Sequence, residues 1–239
     1  MLTELLDRLL ELKRPETVSV DGRSYSTSAI EPIKKPVAGA VSVRTLTGLV
    51  DLYRENMDNV KSNEAGMHVV SHECVRLIGL EVDQWANRRT YVEAIRKEER
   101  GFQYGEWLGT ESFIIGLQAL FYPTDGQRQI LSLVSNMTAG SLATSEDDGF
   151  SQRVTVQKSV AFKEDRTIKP IVSMQPYRTF SEIDQPVSNF LFRVRRTGES
   201  NQTVQCMLSE ADGGAWKLIA MDSIKAWLRE QALDLPIIA

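Results

Sequence analysis

The sequence FLFRVRR at residues 190–196 alternates apolar and polar side chains with a period of two. In a β-strand, successive side chains point to opposite faces of the sheet. Phe190 and Phe192 would therefore lie on one face, and Arg193 and Arg195 on the other. This pattern predicts a strand with one buried face and one half-exposed face.

The segments around this run predict further strands and helices. Turn residues separate strand candidates at residues 154–160, 171–174 and 204–208, whereas earlier segments show helical spacing with candidate N-caps at Thr45, Thr110 and Thr124 or Asp125. We therefore expect an α+β fold, in which helices pack on a largely antiparallel β-sheet, with amphipathic helices near the N-terminus and the C-terminus.

The chain has 239 residues, of which 42% are hydrophobic and 25% are charged, so it can bury a sizeable core. We expect a single compact domain spanning residues 1–239. The small, acidic stretch at residues 139–149 is the best candidate for a loop and for a subdivision. It would separate a mixed half, residues 1–138, from a β-rich half, residues 150–239.

Two apolar segments are candidates for self-association. Residues 2–13 predict a helix with a leucine stripe, and residues 233–239 form an apolar tail. Each segment could pack on its own domain or on a neighbouring copy. The candidate self-association residues are Leu2, Leu5, Leu9, Leu12, Leu235, Ile237 and Ile238.

The two histidines and a nearby cysteine are a weak candidate for a metal site. On a helix, His68 and His72 would share one face, and on a strand His68, His72 and Cys74 would do so. Nitrogen and sulfur ligands suit a transition metal. A complete site needs a fourth ligand, and the sequence has no second His or Cys cluster. We therefore expect no metal and no cofactor. The sequence also lacks a nucleophile elbow and a phosphate loop, which weighs against an enzyme without excluding one.

The arginines of the 190–196 run are the candidate nucleic-acid contacts. Arg193, Arg195 and Arg196 could track a phosphate backbone, and Arg178 could extend the strip. The alternative is an ordinary half-exposed strand. A net charge of −4 and a pI of about 5.4 argue against nonspecific coating of nucleic acid.

The N-terminus does not have the composition of a signal peptide, because charged residues interrupt its leucines. No stretch approaches the roughly 20 apolar residues of a membrane span. We expect a cytoplasmic protein without a membrane partner.

Several runs together resemble a known family. They are QPYRTFSEIDQP at residues 175–186, FLFRV at 190–194, EADGGAWK at 210–217, GFSQRV at 149–154 after an acidic loop, and the early Asp21-Gly22 hairpin. In this order they resemble the YfdQ-like family of phage and prophage proteins of unknown function, over most of the chain. The resemblance implies an early phage gene near replication and recombination functions, in a bacterial host cell. It implies no activity for any residue.

Three functions are consistent with these observations. The first is a non-catalytic interaction protein that self-assembles into a homo-oligomeric ring, shell or filament. The alternative is a nucleic-acid-binding accessory factor for phage recombination or replication, and a metal-dependent enzyme ranks last. The expected partners are further copies of the chain, and then single-stranded DNA or a host protein.

Overall fold

The structure is a computed structural model. It describes residues 4–6, 16–20, 23–26, 38–82, 88–96, 101–139, 141–147, 152–159, 162–168, 171–197, 203–231 and 233–239. By its internal contacts the chain divides into two compact units, one containing residues 1–38 and 82–87 and the other containing residues 39–81 and 88–239.

In the smaller unit, strands β1 (Thr17–Val20) and β2 (Arg23–Ser26) form an antiparallel pair. The predicted hairpin around Asp21-Gly22 is confirmed by this pairing. Residues 4–6 are helical, and the rest of the predicted helix over residues 2–13 lies outside the described residues.

The first sheet of the larger unit has five strands in the order β14-β4-β5-β6-β3. The three central strands are antiparallel, whereas β14 runs parallel to β4 and β3 runs parallel to β6. These strands are β3 (Val41–Val43), β4 (Ala65–Ser71), β5 (Cys74–Gly79), β6 (Thr90–Ile95) and β14 (Ile237–Ile238).

Helices α1 (Leu46–Glu55) and α4 (Trp216–Glu230) pack on the first sheet. Helix α1 begins where predicted, because the Thr45 hydroxyl accepts the Gly48 N–H at 3.1 Å. Helix α4 is the amphipathic helix predicted near the C-terminus. Its buried stripe is Trp216, Ala220, Ile224 and Leu228, which repeats every four residues.

The second sheet is antiparallel, with the order β11-β12-β13-β7. Helices α2 (Thr110–Leu120) and α3 (Asp125–Ala139) share its core, which is rich in phenylalanine. The Thr124 hydroxyl accepts the Gln127 N–H at 3.3 Å near the start of α3, as predicted for a cap. These strands are β7 (Leu108–Gly109), β11 (Ile171–Met174), β12 (Ser188–Thr197) and β13 (Thr203–Glu210).

A third sheet occupies a region where we expected a loop. Strands β8 (Ser141–Asp147), β9 (Gln152–Ser159) and β10 (Phe162–Ile168) form antiparallel pairs in the order β10-β9-β8. The predicted loop at 139–149 is wrong over β8. The residues of β8 have low strand propensity, but pairing with β9 satisfies their backbone hydrogen-bonding groups and makes them a strand. Whether the chain is one domain subdivided there stays a prediction.

The arrangement of helices on mainly antiparallel sheets confirms the α+β prediction. Within the part of the chain that the structure describes, no helix combines the length and the apolar character needed to cross a bilayer.

Candidate functional site

The segment at residues 175–187 connects β11 to β12 and is held by one glutamine side chain. The Gln185 Oε1 atom accepts the backbone N–H groups of Arg178 and Thr179, at 2.7 and 3.0 Å. Its Nε2 atom donates to the Phe180 carbonyl at 3.0 Å. Gln185 is buried, and these bonds satisfy backbone groups that no strand pairs. We call residues 175–187 the linking segment.

Arg178 is the most deeply buried charged residue of the linking segment, with a side chain only 7% exposed. Its guanidinium donates to the Glu210 carboxylate on β13 and to the Ser188 hydroxyl on β12. Burial lowers the pKa of Arg178, and the neighbouring carboxylates of Glu210 and Asp212 partly offset that effect. An arginine can lie at this depth because a charged partner and a hydroxyl replace its hydration.

Aromatic rings surround the Arg178 guanidinium. Its central carbon lies 3.9 Å from the Trp216 ring centroid, 5.4 Å from that of Phe190 and 5.9 Å from that of Tyr104. These distances allow cation–π attraction, which is stronger where water is excluded. The Arg178 Nε and Trp216 Nε1 atoms are buried and have no hydrogen-bond acceptor in the structure.

His72 also contacts Trp216. The two rings meet edge to face with centroids 4.6 Å apart, and the Thr179 hydroxyl donates to the His72 carbonyl at 2.6 Å. Burial lowers the pKa of His72. The nearby cations Lys217, Arg96 and Arg178 lower it further, and Glu73 opposes them.

A second link joins the β4–β5 turn to the linking segment. Arg96 lies 3.6 Å from the Glu73 carboxylate and donates to the Tyr177 carbonyl at 2.9 Å. Phe180 and Ile183 of the linking segment are buried in the core of the first sheet, whereas Phe190 on β12 is buried in that of the second. Arg178 thus holds the linking segment to the second sheet, whereas the bonds of Thr179 and Tyr177 hold it to elements of the first. We interpret this cluster as a structural junction.

The structure separates the four arginines predicted to bind nucleic acid. Arg193 and Arg195 pair with Met207 and Gln205 across the ladder, and they share the sheet face opposite the core. Arg196 pairs with Val204, which packs against the core, so Arg196 lies on the other face of the strand. Arg178 is buried and paired with Glu210, so the predicted strip of four arginines is wrong.

Arg195 has two neighbours on the outward face of β12. Its Nε atom donates to Gln205 Oε1 at 2.9 Å, and its guanidinium carbon lies 4.3 Å from the Trp107 ring centroid. Lys158 and Lys169, which could have extended the basic strip, have no described side chains. The surface that remains has two outward arginines and one tryptophan.

The structure does not bring the three candidate metal ligands together. Strand β4 ends at Ser71, and the turn at residues 72–73 reverses the chain, so His68, His72 and Cys74 do not follow one strand. His68 pairs with Arg76, whereas the Cys74 thiol lies 3.7 Å from the Glu93 carboxylate. Among the described residues, no group of three His, Cys, Asp or Glu side chains could hold a metal ion. His68 and Cys74 lie on one face of the first sheet, because His68 pairs with Arg76 and Cys74 is two positions from Arg76 on β5. His72 lies in the turn, so the single strand predicted to carry all three residues is wrong.

The self-association candidates have different environments. Leu5 is 62% exposed, whereas Leu2, Leu9 and Leu12 lie outside the described residues. Leu235 and Ile237 are partly buried and pack on the first core, and Ile238 is 44% exposed. The tail thus packs on its own chain as β14, with Ile238 on the outward face.

Sequence reasoning missed the partners of Arg178 and the role of Gln185. The sequence did offer one signal that Arg178 is buried. Arg178 lies between Pro176 and Pro186 and is two positions from Phe180, which is buried. Comparison of the chain with protein-family models, with curated proteins and with solved structures finds no match.

Proposed function

We propose that this protein is a non-catalytic interaction protein that assembles with copies of itself, in the cytoplasm of a bacterial host cell. The observation that carries the proposal is the composition of the two outer strands of the first sheet. Strand β3 is Val-Ser-Val and strand β14 is Ile-Ile, so neither contains a charged residue. Val41 is 43% exposed and Ile238 is 44% exposed.

An outer strand has backbone N–H and C=O groups that another chain can pair with, and proteins commonly protect such strands with charged residues or bulges. Within the part of the chain that the structure describes, each of these two short strands pairs with one neighbour only. The contact that they offer is therefore small. The leucine stripe predicted over residues 2–13 would have to add area, and Leu5 and Leu6 are exposed at 62% and 52%.

The strand directions favour a head-to-tail arrangement. Strands β14, β4, β6 and β3 all run in one direction, because each outer strand is parallel to its neighbour. The β3 edge of one copy could therefore continue as a parallel ladder into the β14 edge of the next. Such a contact gives a ring if the rotation closes and a filament if it does not. The resemblance to YfdQ-like phage proteins is compatible with an assembly and stays a prediction.

The solution mass measured by light scattering tests the proposal. We expect a mass several times the 26.9 kDa of one chain, discrete for a ring and increasing with protein concentration for a filament. Val41→Lys and Ile238→Lys should each reduce this mass, because a charge at an outer strand opposes pairing. Leu218→Lys is the matched control, since Leu218 is 68% exposed on helix α4.

Two results would count against the proposal in different ways. A wild-type mass of one chain at high protein concentration would refute self-assembly. A large mass that both lysine variants retain would refute the outer strands as the interface and leave the leucine stripe to be tested. A monomer that gains mass only with a host extract would point to a host protein.

A further inference from the structure

The outward face of the second sheet differs chemically from the open edges of the first. The outward positions of its four strands follow from the ladder registers and the alternation of burial. They are Gly109, Ile171, Ser173, Asn189, Leu191, Arg193, Arg195, Thr197, Thr203, Gln205, Met207 and Ser209. Within these described strands the face has two arginines and no carboxylate, although the whole chain has a net charge of −4.

Arg195 and Trp107 form the centre of this face. The Arg195 guanidinium reaches Trp107 across β13, at 4.3 Å from its ring centroid. Gly109 pairs with Gln205, the ladder partner of Arg195, and a Cβ atom at Gly109 would meet nothing within 4 Å, so the space above Gly109 is open.

The hydrogen bond from Arg195 Nε to Gln205 helps to hold the guanidinium beside the Trp107 indole. Arg195 is exposed, so a ligand can reach its side chain. A nucleobase can stack on a guanidinium plane or on an aromatic ring, and arginine also binds phosphate oxygens. A base on Arg195 would extend the stack that Trp107 begins.

We propose that this outward face, centred on Trp107, Arg193 and Arg195, binds single-stranded nucleic acid. Charge complementarity favours this partner, since a phosphate backbone meets two arginines and no outward carboxylate on the described strands. A single strand also exposes the base faces that the Arg195–Trp107 stack can accept, whereas a duplex keeps them covered. The proposed self-assembly would place several such faces on one particle, but the binding does not depend on it.

Fluorescence anisotropy with labelled oligothymidylate and oligouridylate of about 15 nucleotides tests the proposal. We expect binding that weakens as salt rises from about 50 to 200 mM. The double variant Arg193→Gln/Arg195→Gln should lower the slope of log affinity against log salt by about 1.4, at about 0.7 per lost phosphate contact. Trp107→Leu should weaken binding by about 5- to 150-fold, as expected for one lost stacking contact.

The matched control is Arg128→Gln/Arg229→Gln, which removes the same charge from exposed positions on α3 and α4. It should keep wild-type affinity. Preference for either oligonucleotide would support the proposal. No binding, or an equal loss in the control, would overturn it. Equal affinity for heparin together with no effect of Trp107→Leu would also overturn it, because the face would then bind any polyanion.

Discussion

The outer strands of the two principal sheets differ in how closely a helix covers them. In the second sheet, helix α3 begins against β11 so closely that a Cβ atom at Gly126 would overlap the Ser173 carbonyl oxygen. In the first sheet, β3 and β14 have exposed apolar side chains at Val41 and Ile238. A helix thus covers the backbone of one outer strand, whereas short length is the main protection of the other two. This contrast is why we assign assembly to the first sheet.

The largest expected effect is at the junction that joins the two sheets. Arg178→Leu should lower the free energy of unfolding by about 3 kcal/mol, because Glu210 and Ser188 lose their buried partner. Urea denaturation followed by tryptophan fluorescence measures this loss. If the two sheets depend on the junction for cooperativity, the variant should also unfold over a broader range of urea.

Arg229→Leu is the control for this prediction, since Arg229 is exposed on α4 and its replacement should change stability by less than about 0.5 kcal/mol. An Arg178→Leu protein as stable as the wild type would show that the junction contributes no net stability.

The second effect compares stability at the covered edge strand β11 with stability beside the uncovered strand β3. Gly126→Ala should destabilise the protein by about 2 kcal/mol, because the Ser173 carbonyl is backbone and cannot rotate away. Gly39→Ala, just before β3, should have little effect, since its Cβ would meet nothing within 4 Å. Thermal unfolding of both variants measures the difference. Equal losses would contradict the close approach of α3 to β11.

The third effect is a dependence of stability on pH that comes from His72. Burial and the nearby cations lower the folded-state pKa of His72 below its ordinary 6.5, so the unfolded chain binds the proton first. Stability should therefore fall as the pH decreases from 6.5 through the folded-state pKa, and this contribution should be absent above 6.5. Urea titrations between about pH 5 and 8 should show a smaller slope for His72→Gln.

His68→Gln is the matched control, because it removes the other histidine from β4 and leaves Trp216 and its neighbours in place. The prediction is wrong if the slope survives in His72→Gln, or if it disappears in both variants.

The smallest effect concerns thiol reactivity and leaves stability unchanged. Burial raises the pKa of Cys206 in the second sheet to about 12, and it also raises the pKa of the half-buried Cys74 in the first. A disulfide reagent at neutral pH should therefore modify Cys74 slowly and Cys206 only after unfolding. The native Cys74→Ser variant should therefore not react with the reagent. Rapid reaction of that variant would show that the second sheet opens readily.

Local patterns were sufficient to predict most of the elements. The alternation at residues 190–196 predicted β12, and its faces have the expected burial. The caps at Thr45 and Thr124 were found from residue type alone, because a hydroxyl that accepts a nearby N–H is a short-range interaction. The strand at residues 171–174 also agrees with β11.

Non-local pairing explains the elements that sequence reasoning missed. Strand β8 forms because β9 pairs with it, although its residues resemble a loop. The turn at residues 72–73 has no clear sequence signal, since His-Glu is not a typical turn pair. The depth of Arg178 could not be predicted, because its partner Glu210 is 32 residues away.

The glutamine bridge within the linking segment has a consequence for the order of folding. Gln185 bonds to residues five to seven positions earlier, a separation that a chain can close in about 10–100 ns. The contact between Thr179 and His72 spans 107 positions and requires a far larger loop to close. We therefore expect the linking segment to reach its native shape first and to act as a template on which the two sheets later dock.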